Sequence, residues 1–198
     1  MKAMILYAHP NSQSFNHAVL NLVLEELDRQ GIEGTVRDLY EMAFNPVLGG
    51  GDLAAACIGE PLEDVRQEQE QLAAADLLVV IHPIWWGGMP AILKGYVDRV
   101  FSQGFAYGYG PEGPVGLLKR KKVVVLNTTG GSEESCLQSG FDEAFRGMVD
   151  RGIFGFCGMD VILHHFFFAV GCVEPERRNA MLEELRGILQ EEVFSRLG

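Results

Sequence analysis

Several things are scarce or missing in this 198-residue chain, and each narrows what it can do. Basic residues are outnumbered, 16 against 27 acidic ones, for a net charge of −11. A nucleic-acid binder needs a basic face to neutralise phosphates, so the deficit argues against that class. It also disfavours adsorption to an anionic membrane surface. No apolar run reaches the roughly 18 residues of a membrane span. The opening run Met1 to Tyr7 stops at His9-Pro10, too short for a secretory leader. The four cysteines (Cys57, Cys136, Cys157 and Cys172) show no CxxC spacing, so neither a metal site nor a disulfide frame is expected. A reducing, cytoplasmic setting is the expectation. No GxGxxG and no P-loop occurs, which removes the Rossmann and Walker readings.

What is present is a regular alternation of strand and helix patterns. Lys2 to Ala8, Gly34 to Leu39, Asp76 to Ile81, Lys121 to Asn127 and Met159 to Phe168 read as strands. Between them lie helical patterns. Asn16 to Gln30 carries Val19, Leu20, Val23, Leu24 and Leu27 on one face and is stopped by Gly31. Leu62 to Ala75, the stretch from Pro90 to about Ser102, Gly140 to Arg151 and Pro175 to Leu197 are the others. Asn45 to Gly59 reads as a long loop around Gly49-Gly50-Gly51. Strands spaced by such helices imply an α/β chain: a three-layer sandwich on a five-stranded parallel sheet. Right-handed crossovers leave the flavodoxin-like order 2-1-3-4-5 as the natural choice, one domain over residues 1–198.

Three strand-end loops then belong to one crevice, because ligands dock outside the carboxyl ends of such strands. His9-Pro-Asn-Ser-Gln-Ser-Phe-Asn16 puts hydroxyl, amide and imidazole groups at a helix N-terminus, where an anion such as phosphate is favoured. Simple N-capping by Ser14 or Asn16 explains the same residues. Trp85-Trp86-Gly87-Gly88 pairs aromatics with glycines, as a planar ligand lying against exposed backbone would require. Asn127-Thr-Thr-Gly-Gly-Ser132 offers amides and hydroxyls able to bond carbonyl and imide groups. One anion loop, two polar glycine loops and stacking aromatics together describe a flavin nucleotide site.

At these residues the chain resembles the flavodoxin-like NAD(P)H:quinone oxidoreductases. The matching blocks are Tyr7-Ala-His-Pro, Ser14-Phe-Asn-His-Ala18, Glu68-Gln69 with Ala74-Ala-Asp76, Pro83 to Phe101, Phe105-Ala-Tyr-Gly-Tyr109, Thr128-Thr-Gly-Gly131 and Phe156-Cys-Gly158. The resemblance implies that His9, Ser14, Phe15, Asn16 and Ala18 hold the phosphate and ribityl end of the flavin, with Gln69 nearby. It implies that Pro83, Ile84, Trp85, Trp86 and Gly87 line the isoalloxazine, mainly through main-chain amides. Thr128, Thr129, Gly130 and Gly131 take the pyrimidine edge. Tyr107 and Tyr109 stand at the family's substrate pocket, and Phe156 either walls the same pocket or, the preferred reading, packs in the core or at a dimer interface. Gly87 replaces a bulky aromatic of mammalian members, which would open the substrate face.

The implied activity is two-electron transfer from NAD(P)H through the flavin to a quinone, with azo and nitro compounds as further acceptors. The implied assembly is a homodimer with flavin sites at its interface. The implied flavin is FAD, favoured by Gln69 and the long Asn45–Gly59 loop, with FMN as the alternative. The family's groups that stabilise reduced flavin align with Cys136 and Asp142, which are unsuited to that work. His164 and His165 are the substitutes to test. Two other classes remain open: a flavodoxin-type electron carrier, and an ancillary flavoprotein of a cation-efflux transporter. The latter would be the chain's one route to a membrane.

Overall fold

The computed structural model describes residues 1–197; Gly198, the last residue of the expected 1–198 domain, lies outside the described residues. Strands β1 (Lys2–Tyr7), β2 (Glu33–Asp38), β3 (Leu77–Pro83), β6 (Lys122–Thr128) and β7 (Asp160–Phe167) form one sheet. Its order is β2-β1-β3-β6-β7 and every pairing is parallel. Counted along the main sheet this is the expected 2-1-3-4-5 order.

Side chains alternate across a strand, so a strand covered on both faces feeds two cores. Ala3, Ile5 and Tyr7 pack with Val79, Ile81, Val124 and Leu126 beneath helices α1 (Phe15–Arg29) and α7 (Pro175–Ile188). Met4 and Leu6 pack with Leu78, Val80, Val123 and Val125 on the opposite face. That face is covered by α3 (Glu63–Ala74), α4 (Ala91–Val100) and α6 (Phe141–Arg146).

Four features depart from the sequence pattern. The expected Asn45–Gly59 loop contains helix α2 (Gly50–Ile58). Its first turn is closed by Asp52, whose carboxylate accepts from the Gly49 N–H at 2.9 Å and pairs with buried Arg99 at 2.8 Å. A β-hairpin, β4 (Tyr107–Gly110) and β5 (Gly113–Gly116), is inserted after α4. A short helix α5 (Glu133–Ser139) precedes α6, capped by the Ser132 hydroxyl. Finally, the β6–β7 register slips by one residue between Val123 and Val124. Before the slip Val123 faces Val161; after it Val125 faces His164 and Asn127 faces Phe166. A one-residue slip moves each later side chain to the other face. Without it, His165 rather than His164 would share a face with Asn127.

Candidate functional site

The carboxyl ends of β1, β3, β6 and β7 open on a cavity of about 670 Å³, the size of a site for a sizeable small molecule. The β1–α1 loop lines it with His9, Ser14, Phe15 and Asn16. The β3–α4 loop contributes Pro83, Ile84, Trp85 and Trp86, and the loop after β6 contributes Thr128, Thr129 and Gly130. All three loops read from the sequence as one crevice therefore meet. Among the described residues, none of the 27 Asp and Glu side chains lines this cavity; nor does any lysine or arginine.

On the first loop Ser14 is the N-cap of α1 and also stands at the cavity. Its hydroxyl accepts from the His17 N–H at 3.2 Å. The His9 ring is fixed by Asn11, whose N–H lies 3.0 Å from Nδ1, and stands 5.9 Å from the Trp85 ring. Burial lowers the His9 pKa, opposed by a weaker Asn11 contact, so the ring is neutral at pH 7.

Asn16 is the informative member. It is only 3% exposed, and its Nδ2 donates to the Thr128 hydroxyl at 2.9 Å. Its Oδ1 is buried with no donor in the chain. A buried acceptor left unmet costs about 1–3 kcal/mol, and Asn16 lines the cavity, so a small side-chain movement would offer this enclosed oxygen to a donor on a ligand.

The second loop is a tight hairpin turn. Trp85 and Gly88 exchange backbone hydrogen bonds, both 3.0 Å, around Trp86 (φ 50°) and Gly87 (φ 71°). Positive φ at both central positions is the type I′ geometry that favours Asn-Gly. Gly87 is thus required by the turn. It stands at the tip and does not line the cavity, and a side chain there would approach Phe141 rather than the expected substrate face. Trp86 is wholly exposed and sits in a conformation that costs a non-glycine residue about 1 kcal/mol or more. Trp86→Asn should therefore raise the stability of the unliganded chain by about 1 kcal/mol, measured by urea unfolding.

Main-chain donors are fewer than the resemblance implies. The Ile84 N–H is spent on the Thr128 carbonyl at 2.8 Å and the Trp85 N–H on Gly88. Among the described residues, the amides of Trp86, Gly87 and Gly130 have no acceptor. Gly131 is set back, its carbonyl accepting from the Ala169 N–H, and a Cβ added there would lie 3.2 Å from Cys136 Sγ.

Other expected site residues lie elsewhere. Ala18 is half-buried in α1 behind the cavity wall, its N–H bonded to the Ser14 carbonyl. Gln69 is buried on α3, and its Nε2 donates to the Val100 carbonyl and the Ser102 hydroxyl, both at 3.0 Å. It ties α3 to the end of α4 and is not on the cavity. Tyr107, Tyr109 and Phe156 form a separate aromatic patch, with ring centroids 6.1 and 5.2 Å from Tyr107. None of the three lines the cavity. Cys136 is buried, and Asp142 and His165 face a different cleft between α6 and α7. Val170 and Gly171, from the loop after β7, do line the cavity and were missed. No motif marks them; they arrive because Val170 N–H bonds the Thr129 carbonyl at 3.2 Å.

No helix among the described residues is long and apolar enough to cross a membrane, and they contain no cluster of three or more metal-ligating side chains. The family model described as having a flavodoxin-like fold matches residues 1–192. A Haemophilus influenzae protein named "uncharacterized NAD(P)H oxidoreductase" is 38% identical, over 92% of this chain and 91% of its own. NAD(P)H dehydrogenase [quinone] 1 of Cavia porcellus is 34% identical, over 91% and 73%. The solved NAD(P)H:quinone oxidoreductase of Methanothermobacter marburgensis superposes with a TM-score of 0.85 at 32% identity, covering 95% of this chain and 94% of its own. Sheet order, cavity position and these likenesses agree, and the chain belongs to the flavodoxin-like family that contains the NAD(P)H:quinone oxidoreductases.

Proposed function

We propose that this protein is a flavin-dependent NAD(P)H:quinone oxidoreductase that works by a ping-pong cycle, with FAD as the flavin and FMN as the alternative. The observation that carries the reading is the cavity itself. It combines an orphaned Asn16 acceptor, the unused amides of Trp86 and Gly130 and the N-terminus of α1, with no charged side chain on its wall. When bound, a flavin supplies two-electron hydride transfer from a nicotinamide to a quinone. The chain's own part is to bind and orient. The first turn of α1 would hold a phosphate by its free N–H groups, and Asn16 Oδ1 would accept from a hydroxyl of the attached chain. The amides of Trp86 and Gly130, with the Thr129 hydroxyl, would donate to ring carbonyl and imide positions. Ile84 and Trp85 would shield one side from water.

Gln69 and the Asn45–Gly59 segment, which favoured FAD, are both engaged within the fold, so the released cofactor decides between the two flavins. We further propose a homodimer, and azo and nitro compounds as additional acceptors. Support for the dimer comes from the aromatic patch that stands apart from its own chain's cavity, and from exposed Trp86, Leu53 and Ile58.

The test is to titrate the purified protein with FAD and FMN, then to follow NAD(P)H oxidation with a soluble quinone. Uptake of one flavin, parallel double-reciprocal plots and a light-scattering mass of two chains are expected. Failure to take up either flavin would sink the reading, and slow turnover with full flavin occupancy would instead favour an electron carrier.

A further inference from the structure

Behind the cavity wall a buried chain of side chains runs from Pro83 to the edge of the molecule. His82 Nδ1 lies 2.9 Å from the Pro83 carbonyl, which needs a proton on Nδ1. His82 Nε2 must then accept, and Asn127 Nδ2 meets it at 2.9 Å while also donating to the His82 carbonyl at 3.2 Å. These contacts fix the Asn127 amide, so its Oδ1 faces His164 Nε2 at 2.7 Å and requires a donor there. His164 Nδ1 lies 2.6 Å from Asp150 Oδ1. A neutral imidazole has one N–H and can serve either Asn127 or Asp150. Only an imidazolium, or an equivalent proton shared with the carboxylate, serves both.

We propose that His164 and Asp150 are a positioning pair for the flavin cavity: their shared proton orients Asn127, which orients His82 and so holds the wall residues Pro83 and Thr128 in place. The inference rests on the flavin reading above. Neither residue touches the cavity, so neither is a catalytic group. The groups facing His164 support a titratable arrangement. From α6 comes Arg146, which disfavours the imidazolium, and from the wide π turn after α6 comes Asp150, which favours it. From β3 comes His82, which burial pushes down to about 4 and keeps neutral. His165 neighbours it on β7, and Phe145 and Phe166 complete the enclosure with rings 5.9 and 4.6 Å away. Burial, the largest effect, lowers the His164 pKa, so the shared proton leaves as pH rises. The favoured wall is then present at low pH and lost at higher pH.

The test measures FAD and FMN affinity from pH 5 to pH 8, by flavin fluorescence, in wild type and two variants. Wild type should bind about tenfold more weakly at the high end, the worth of one net hydrogen bond. Asp150→Asn should bind with no such dependence, because the introduced amide donates to Nδ1 of a neutral imidazole and leaves Nε2–H for Asn127. His164→Leu should bind weakly throughout. Long-range ¹H–¹⁵N spectra of the flavin-free wild type should show His164 passing from imidazolium to neutral over the same range, a readout that needs no variant. A flat wild-type profile, or Asp150→Asn titrating like wild type, would overturn the pair's role. Wild type binding neither flavin at any pH would overturn the flavin reading and this inference together.

Discussion

Replacing Gly95 by alanine should destabilise the protein by about 3 kcal/mol or more, a large effect for a single methyl group. Intrinsic propensity predicts the opposite sign, since alanine in a helix interior is favoured over glycine by about 1 kcal/mol. Packing reverses it. A Cβ on Gly95 would lie 2.1 Å from the Pro46 carbonyl oxygen and 2.6 Å from the Pro46 Cα, and both of these are backbone atoms. The Pro46 segment cannot retreat freely, because the adjoining Asn45 carbonyl accepts from Arg99 Nη1 at 2.9 Å. Arg99 is itself buried and held by Asp52 and Asp64 at 2.8 and 2.7 Å. The control is Gly187→Ala on α7, where an added Cβ meets nothing within 4 Å. That change should stabilise by about 0.5–1 kcal/mol. Urea unfolding of both variants measures the contrast. Equal gains in the two would refute the close approach of α4 to Pro46.

The second large effect has opposite signs in the free and bound protein. Asn16→Leu should weaken FAD and FMN binding about tenfold to hundredfold, equivalent to roughly 1–3 kcal/mol. The unliganded chain should keep its stability or gain up to about 1 kcal/mol, because a buried acceptor with no partner disappears. The Thr128 hydroxyl loses the Nδ2 donor, but it can rotate and donate in its turn. Thermal unfolding without flavin and fluorescence titration with it separate the two terms. If stability falls as far as affinity does, Asn16 serves only to join α1 to β6 and the cavity reading loses its main support.

Much of the site was legible because strand-end loops and their chemistry are local. His9, Ser14 and Asn16, the Trp85-Trp86 turn, and Thr128 to Gly130 could each be read from a few consecutive residues plus one rule about where ligands dock. Gln69 was misread for the same reason. Its motif neighbours said only that it matters, and its two partners, Val100 and Ser102, lie 31 and 33 residues away. Helix α2 was hidden by three glycines, which ordinarily mark a loop. What holds its first turn is Asp52, through the Gly49 N–H and the distant Arg99. Gly87 was read as space for a substrate, whereas the turn's positive φ demands it whatever lies beyond.

Alternating apolar runs and helix-length spacings determined the layers, the sheet order and which loops could share a crevice, because each is a short-range periodicity with one compact solution. Three things only the folded chain decided. The aromatic patch of Tyr107, Tyr109 and Phe156 stands away from its own cavity, Asn16 keeps one buried acceptor free, and a one-residue slip beside Val124 turns His164 rather than His165 toward Asn127. Each depends on which side of a strand a residue faces or on which distant group reaches it first. Those are properties of register and packing, and no window of the sequence contains them.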